Sequence, residues 1–426
     1  MEENERLTYG LLGRQLGHSW SPQIHARFGS MPYALVEREP EEVAPFIRQG
    51  DWQGLNVTIP YKRDAAMLAD NRSERVARLG VANTLVKRAD GTIYADNTDV
   101  LGFSWMLRRF FKERVGRDAR EALDGKEVLI LGSGGACQAV QAALEDTAAC
   151  KACVISRTGD DTYETIAQRH ADARLIVNTT PVGTYPNCPQ SPLDKATLAS
   201  FPRLLGVLDV VYNPERTGLC LAAEEMGLPY ESGLAMLVSQ AFYSSQLFQG
   251  KQLDPHLVEL VEGDIRSTQQ NIILIGMPGA GKTTTGRALA RLLRRPFIDL
   301  DDAFALETGS FAEQYIRIHG EAAFRKVETT VASNYGAKSG LVIACGGGIV
   351  TQPRNYPILH QNGTIAFIDR PIGQLSTDGR PISQSKGIER LANERMDLYR
   401  QWADITISCT GSAAGDASLL RQILNL

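Results

Sequence analysis

The sequence predicts an α/β protein built from three consecutive units, the second and third carrying parallel sheets. Three observations point to this class. Short apolar runs of strand length, among them "YGLLG", "EVLIL" and "NIILI", alternate with helix-length stretches along the whole chain. The runs "EVLIL" and "NIILI" are apolar at nearly every position, as strands covered on both faces must be. Both lead directly into a glycine-rich turn and then a helical stretch.

Taken in order, residues 1–104 contain the strands "YGLLG", "YALVE", "LNVTI" and "NTLVK" with the helical stretches "SPQIHARFG" and "EEVAPFIRQG" between them. Around "KERVGRDAREALDGK" the chain turns polar, which places a boundary within 105–126 and opens a second unit, 105–234. Its strands "EVLIL", "ACVISR", "ARLIVNTTP" and "LLGVLDVVYNP" alternate with helices, the order of a doubly wound parallel sheet. From "LAMLVSQAFYSSQLF" the apolar spacing is helical, residues 263–270 read as a polar linker, and a third unit, 271–426, begins at "NIILIG".

The bulk composition narrows the class of partner. With 426 residues, 43% hydrophobic and 22% charged, the chain has the make-up of two to three globular domains. A net charge of -4 supplies no broad basic field, so nucleic acid and anionic membranes are set aside in favour of small molecules. The acidic start "MEENERLTYG" lacks the features of a signal peptide, and no apolar run approaches the ~20 residues of a membrane span, so a cytoplasmic location is expected. Seven cysteines, an odd number, do not suggest a disulfide framework. The single CxxC, Cys150 to Cys153 in "CKAC", has no second pair to complete a zinc site and reads as small residues leading into a strand.

The strongest motif is "GMPGAGKTT" at 276–284, a complete G-x-x-x-x-G-K-T between a strand and a helix. Such a loop lets backbone N–H groups and a helix N-terminus approach phosphates, with Lys282 reaching the outer phosphates and the Thr283 hydroxyl facing magnesium. It does not name the phosphate acceptor. "PFIDLDD", "GEAAFRKVE", "CGGGIV", "DGRPIS" and "RMDLYRQWAD" follow in an order that resembles the shikimate kinase family over 271–410. The resemblance implies ATP on Gly279, Ala280, Gly281, Lys282, Thr283 and Thr284, with Mg2+ held by Thr283 and Asp299. It implies the substrate carboxylate on Arg325 and Arg395, Asp301 at the reacting hydroxyl, and Gly346, Gly347 and Gly348 against the ring. Arg380 would reach over the nucleotide from a lid that is shorter than the family's usual one. Taken singly, Asp299 and Asp301 could equally cap a helix, Arg325 could pair with Glu328, and the three glycines could form a plain turn.

Ahead of this unit stand "GLLGRQLGHSWSP", "LNVTIPYK", "VANTL", "DNTDVLG", "LGSGGACQAV", "VVYNP" and "SGLAMLVSQA", which over roughly 8–260 resemble the shikimate dehydrogenases. The resemblance implies a substrate domain, 1–104, with helices at 235–262 packing back on it, and a Rossmann-like NADP domain at 105–234. Lys62 and Asp99 would be the pair that handles the proton beside the reduced ketone. Ser19 and Ser21 would take the substrate carboxylate, Thr58, Asn83 and Gln240 its hydroxyls, and Tyr212 would line the cleft. Ser21 before Pro22 also has the look of a helix N-cap. The cofactor would lie on Gly132, Ser133, Gly134, Gly135, Ala136 and Gly233. Arg157, where an NAD-binding unit places an acid, suits the 2'-phosphate of NADP(H).

Together these resemblances imply a bifunctional enzyme that reduces 3-dehydroshikimate to shikimate and then phosphorylates it. The alternatives are a front or back half that binds without turnover, and a dehydrogenase that takes quinate or NAD.

Overall fold

The computed structural model of the protein describes residues 7–17, 19–375 and 387–426. The chain forms two compact units: Met1–Val182 with Ser191–Tyr212 and Ala222–Ile265, and Gly183–Gln190 with Asn213–Leu221 and Arg266–Leu426. The first unit expected from the sequence and most of the second thus fall in one compact body, while 183–190 and 213–221 group with the third.

The front of that body is a six-stranded sheet in the order Tyr33–Glu37, Leu7–Gly13, Trp52–Val57, Thr84–Lys87, Ile93–Asp96, Asn71–Arg72. Its first three strands are parallel, while Thr84–Lys87 runs antiparallel to both of its neighbours. A second, fully parallel sheet follows in the order Tyr230–Glu231, Gly206–Asp209, Leu175–Asn178, Glu127–Leu131, Lys151–Ile155. Val128, Leu129, Ile130, Leu175, Ile176 and Val177 are all fully buried, as strands covered by helices on both faces require.

The helix Thr98–Phe110 crosses position 104, where the first unit was expected to end. Its apolar residues at 103, 106, 107 and 110 keep helical spacing and are fully buried, each such side chain contributing about 1.5–3 kcal/mol. It packs closely on the helix Leu234–Gln249. That helix also covers the first sheet: Asn56 Nδ2 donates to Ser244 Oγ at 2.9 Å, and Tyr9 stacks on Phe248 with ring centroids 5.1 Å apart.

The stretch 263–270 is not an open linker. The helix Leu257–Gln269 occupies it and the next strand starts at Asn271. Its polar composition conceals apolar residues three and four apart, Val258, Val261 and Ile265, all buried, while Glu262 pairs with Arg109 through two contacts at 2.5 and 3.1 Å.

The second unit holds a five-stranded parallel sheet in the order Phe297–Asp299, Val342–Ala344, Asn271–Ile275, Gly363–Asp369, Ile405–Ser408. Ile273, Val342, Ile343 and Ile365 form its dry centre. The segment Asn213–Leu221 belongs with this unit, since Arg216 Nη1 donates to the His360 carbonyl and the Arg216 amide to that of Gln361, both at 2.8 Å. No helix among the described residues is long and apolar enough to cross a membrane.

Candidate active sites

In the first unit a cleft of about 250 Å³ opens at the strand ends. Lys62 is the first residue of the helix Lys62–Leu68, and Asp99 lies in the first turn of the helix Thr98–Phe110. The Asn97 side chain caps that second helix by accepting from the Asp99 amide at 3.2 Å. Lys62 Nζ stands 2.6 Å from Asp99 Oδ2, and the other carboxylate oxygen accepts from Asn83 Nδ2 at 2.8 Å. Asn83 is itself fixed, because its Oδ1 accepts from the Thr98 amide at 2.7 Å. The side chains of Lys62 and Asp99 are 23% and 15% exposed, so the pair is half-buried yet reachable from the cleft.

Ser19, Ser21, Thr58, Tyr212, Gly233 and Gln240 line the same cleft. Ser21 does not cap its helix. It is the helix's first residue, and its hydroxyl accepts from that of Ser19 at 3.1 Å, while Ser19 Oγ also accepts from the Ser21 amide at 3.3 Å, and both residues line the cleft. Tyr212 meets Trp20 edge-on at 5.1 Å, and burial raises its phenol above the ordinary tyrosine range. Gln240 is oriented by its Nε2 bond to the Leu237 carbonyl at 2.9 Å.

A polar network beneath the pair was missed by the sequence reasoning. Ser244 Oγ lies 3.0 Å from both Thr84 Oγ1 and Thr98 Oγ1, while Asn56 donates to it and accepts from the Tyr33 hydroxyl at 2.9 Å. All of these except Tyr33 are buried at 5% exposure or less. The available signal was Asn56 itself, an amide in the otherwise apolar strand "LNV".

The glycine-rich loop connects the strand Glu127–Leu131 to the helix Gly135–Thr147, with Gly134 in the N-cap position. Gly132 has φ +98°, and a Cβ there would press on Thr180 at 2.8 Å, so the turn demands glycine. Gly134 and Gly135 face open space, a cradle at the N-terminus of a 13-residue helix that fits a pyrophosphate. Ser133 lies within this turn, Ala136 lines the substrate cleft, and Arg157 is exposed just past the strand Lys151–Ile155.

The second unit holds a larger cleft of about 800 Å³. The loop between the strand Asn271–Ile275 and the helix Lys282–Leu293 bends through Gly276, Gly279 and Gly281, at φ +146°, +84° and +98°. Lys282 Nζ donates to the carbonyls of Gly276 and Met277 at 2.9 and 3.0 Å, Thr284 to that of Gly281 at 2.8 Å, and Ala280 is fully buried beneath. Thr283 Oγ1 donates to Asp299 Oδ2 at 2.6 Å, a hydroxyl and carboxylate set that fits a hard divalent cation.

Asp299 does cap the helix Leu300–Thr308, accepting from the Asp301 amide at 3.0 Å, so it serves both readings. The Asp301 carboxyl opens into the cleft but is crowded by protein, and desolvation, with repulsion from Asp299 added, raises it above the ordinary aspartate range. Arg325 pairs with Glu328 at 2.7 Å and Glu321 at 3.2 Å, and still reaches the cleft beside Gly348. Burial raises the Glu328 carboxyl, with Arg325 opposing the shift. Arg395 is 3% exposed and donates from Nη1 to the Gly347 carbonyl at 3.0 Å, as the Tyr399 hydroxyl also does. Its Nε has no hydrogen-bond partner among the described residues. The turn Gly346–Gly347–Gly348 is thereby braced by the same arginine that lines the cleft. Arg370, unmentioned by the sequence reasoning, also lines it, and Arg380 lies outside the described residues.

The family model for the shikimate dehydrogenase substrate binding domain matches residues 11–85, and that for shikimate kinase matches residues 278–425. The chain is 32% identical over 271 residues to the shikimate dehydrogenase (NADP(+)) of Clostridium beijerinckii, an alignment covering 59% of this chain and 95% of the relative. A chorismate mutase/shikimate 5-dehydrogenase fusion protein from Clostridium acetobutylicum, also 32% identical, superposes with a TM-score of 0.54 over 61% of this chain and 97% of that one. The shikimate 5-dehydrogenase of Thermus thermophilus, solved in complex with NADP(H) and shikimate, is 28% identical, with a TM-score of 0.51 over 60% of this chain and 98% of its own. A chain whose front aligns with nearly the whole of such relatives, and whose back matches the kinase, belongs to the shikimate dehydrogenase family and carries a shikimate kinase domain behind that module.

Proposed function

We propose that the chain catalyses two successive steps of the shikimate pathway: NADPH-dependent reduction of 3-dehydroshikimate to shikimate, and ATP-dependent phosphorylation of shikimate to shikimate 3-phosphate. The observation that carries this reading is that both centres are assembled, Lys62 beside Asp99 in one cleft and Thr283 beside Asp299 in the other, each pair at 2.6 Å.

When bound, NADPH supplies the hydride and magnesium ATP the phosphoryl group. In the reductase cleft the Lys62 ammonium polarises the ketone oxygen and gives it a proton as the hydride reaches carbon. Asp99, held by Asn83, keeps that ammonium aimed. Ser19 and Ser21 receive the substrate carboxylate, and Thr58, Asn83, Gln240 and Tyr212 position its ring. Gly132 to Ala136 and Gly233 shape the approach of the cofactor, whose 2'-phosphate meets Arg157. In the kinase cleft Arg325 and Arg395 take the shikimate carboxylate against the Gly346–Gly348 turn, and Asp301 accepts the proton of the attacking hydroxyl. Gly279 to Thr284 hold the nucleotide phosphates, Lys282 neutralising their charge, while Thr283 and Asp299 hold the magnesium. Arg380 is assigned to the transferring phosphoryl group on sequence alone.

The test is a single incubation of the purified chain with 3-dehydroshikimate, NADPH and magnesium ATP, read by mass spectrometry. Shikimate 3-phosphate with NADP and ADP is expected. Unreacted 3-dehydroshikimate, or shikimate that accumulates without phosphorylation, would sink the half of the reading concerned.

A further inference from the structure

A cluster in the first unit serves neither reaction. Glu127 opens the strand Glu127–Leu131, and Cys153 lies on the parallel strand Lys151–Ile155, paired with Leu129. Two residues of register therefore separate Glu127 from Cys153, and their side chains share one face of the sheet. His170, just after the helix Ile166–Arg169, completes the group.

Potential ligand atoms of the three all lie within 4.8 Å of one another. Cys153 Sγ is 3.3 Å, and His170 Nδ1 3.1 Å, from the same oxygen, Glu127 Oε1. In a tetrahedral zinc site with bonds of ~2.0–2.3 Å, ligand atoms are roughly 3.3–3.8 Å apart, so only small side-chain shifts separate the cluster from such a site. His170 is 4% exposed, and neither ring nitrogen has a well-aligned hydrogen-bond partner, although each stands 3.1 Å from a carboxylate oxygen. An ion bound at Nδ1 would replace the poorly aligned Glu127 contact with a direct bond, while Asp161 keeps its place at Nε2. On the ring's far side, Asp161 Oδ1 stands 3.1 Å from Nε2, the place from which a carboxylate orients a metal-bound imidazole.

We propose that Glu127, Cys153 and His170 form a binding site for a thiophilic divalent cation of the zinc class, with Asp161 as the positioning residue behind His170. Thiolate, imidazole and carboxylate together suit zinc and exclude magnesium or calcium. On binding, the Cys153 thiol proton leaves to solvent, and a water fills the fourth position. Lys151 Nζ, now 2.8 Å from Glu127 Oε1, must swing away, and its side chain is 73% exposed and able to do so. Glu127 opens the strand and Gly132 follows its last residue, about 16 Å away at ~3.3 Å per residue, so the ion would brace the segment between Arg157 and His170 and not enter catalysis.

The experiment titrates the full chain with cobalt(II) and follows the thiolate-to-cobalt charge-transfer band in the near ultraviolet. One band at a stoichiometry of one, displaced by zinc, is expected. It should vanish in Cys153→Ser and persist in Cys150→Ser. Lys151→Ala, which leaves all three ligand residues in place, should tighten binding about fivefold by removing the ammonium that competes for Glu127. Absence of the band in the wild type, its survival in Cys153→Ser, or an affinity unchanged by Lys151→Ala would each overturn the site. If Cys153→Ser fails to fold, the Lys151→Ala and Cys150→Ser results decide.

Discussion

Lys62 Nζ and Asp99 Oδ2 lie 2.6 Å apart, the Asn83 amide holds the second Asp99 oxygen, and Lys62, Asn83 and Asp99 all line the cleft. In the proposed reduction Lys62 is assigned the role of proton donor. Lys62→Ala is expected to lower kcat for 3-dehydroshikimate by about 10²–10⁴-fold, the range of general acid catalysis, and to leave shikimate phosphorylation unchanged. Following NADPH oxidation and ADP release on one preparation checks both halves. An undiminished reduction rate would remove Lys62 from the mechanism.

Of the three glycines in the Gly346–Gly348 turn, Gly348 leaves the least room for a side chain. A Cβ built there would collide with both terminal nitrogens of the Arg325 guanidinium, although its φ of -98° suits any residue. Gly348→Ala should therefore act by displacing Arg325. A rise of about tenfold or more in KM for shikimate is expected, the cost of one charge-assisted contact, with KM for ATP little changed. Equal rises for both substrates would point to a collapsed cleft instead.

Asp301 carries a raised carboxyl, so the native state binds more protons than the unfolded chain between the unfolded and native pKa values. The kinase unit then loses stability as pH rises through that window and keeps the penalty at neutral pH. Asp301→Asn removes the charge. It should abolish phosphoryl transfer, leave melting at pH 7 no lower than wild type, and flatten the pH dependence of melting within that window. A variant that melts well below wild type at pH 7 would contradict the assigned cause.

Arg157 projects from the end of its strand into solvent, where a 2'-phosphate would meet it. Arg157→Ser is expected to raise KM for NADPH about tenfold to a hundredfold, as the loss of hydrogen bonds to a charged group would, and to leave the weaker use of NADH unchanged. Parallel loss with both cofactors would assign the residue to the fold alone.

How much of this was legible in the sequence varied with the range of the interaction. The phosphate loop could be read because its backbone demands glycine at φ values that other residues avoid, and its lysine and threonine follow at fixed spacing. Asp299, Asp301 and the Gly346–Gly348 turn carry no such local demand, none of the three glycines having a positive φ, and their roles could be read only from the order of motifs in the resemblance. Ser244 could not, because its partners Asn56 and Thr98 lie 188 and 146 residues away and a serine in an apolar helix has no local signature. The stretch 263–270 misled through composition: burial there depends on Val261 and Ile265, not on the average polarity of their neighbours. Ser21 looked like a cap from its Ser-Pro pair, but Ser19 offers its hydroxyl a partner closer to the cleft.

The helix Leu234–Gln249 lies over a sheet whose strands are made long before it. Asn56 waits for Ser244, 188 residues downstream, and Tyr9 for the carbonyl of Phe248, 239 residues downstream. At about 5–20 residues per second, a ribosome leaves the front sheet without its cover for roughly 10–40 s. Its strands must spend that time as a nascent, partly uncovered layer, so a chaperone that shields apolar faces during translation should matter more for this chain than the finished molecule's stability would suggest.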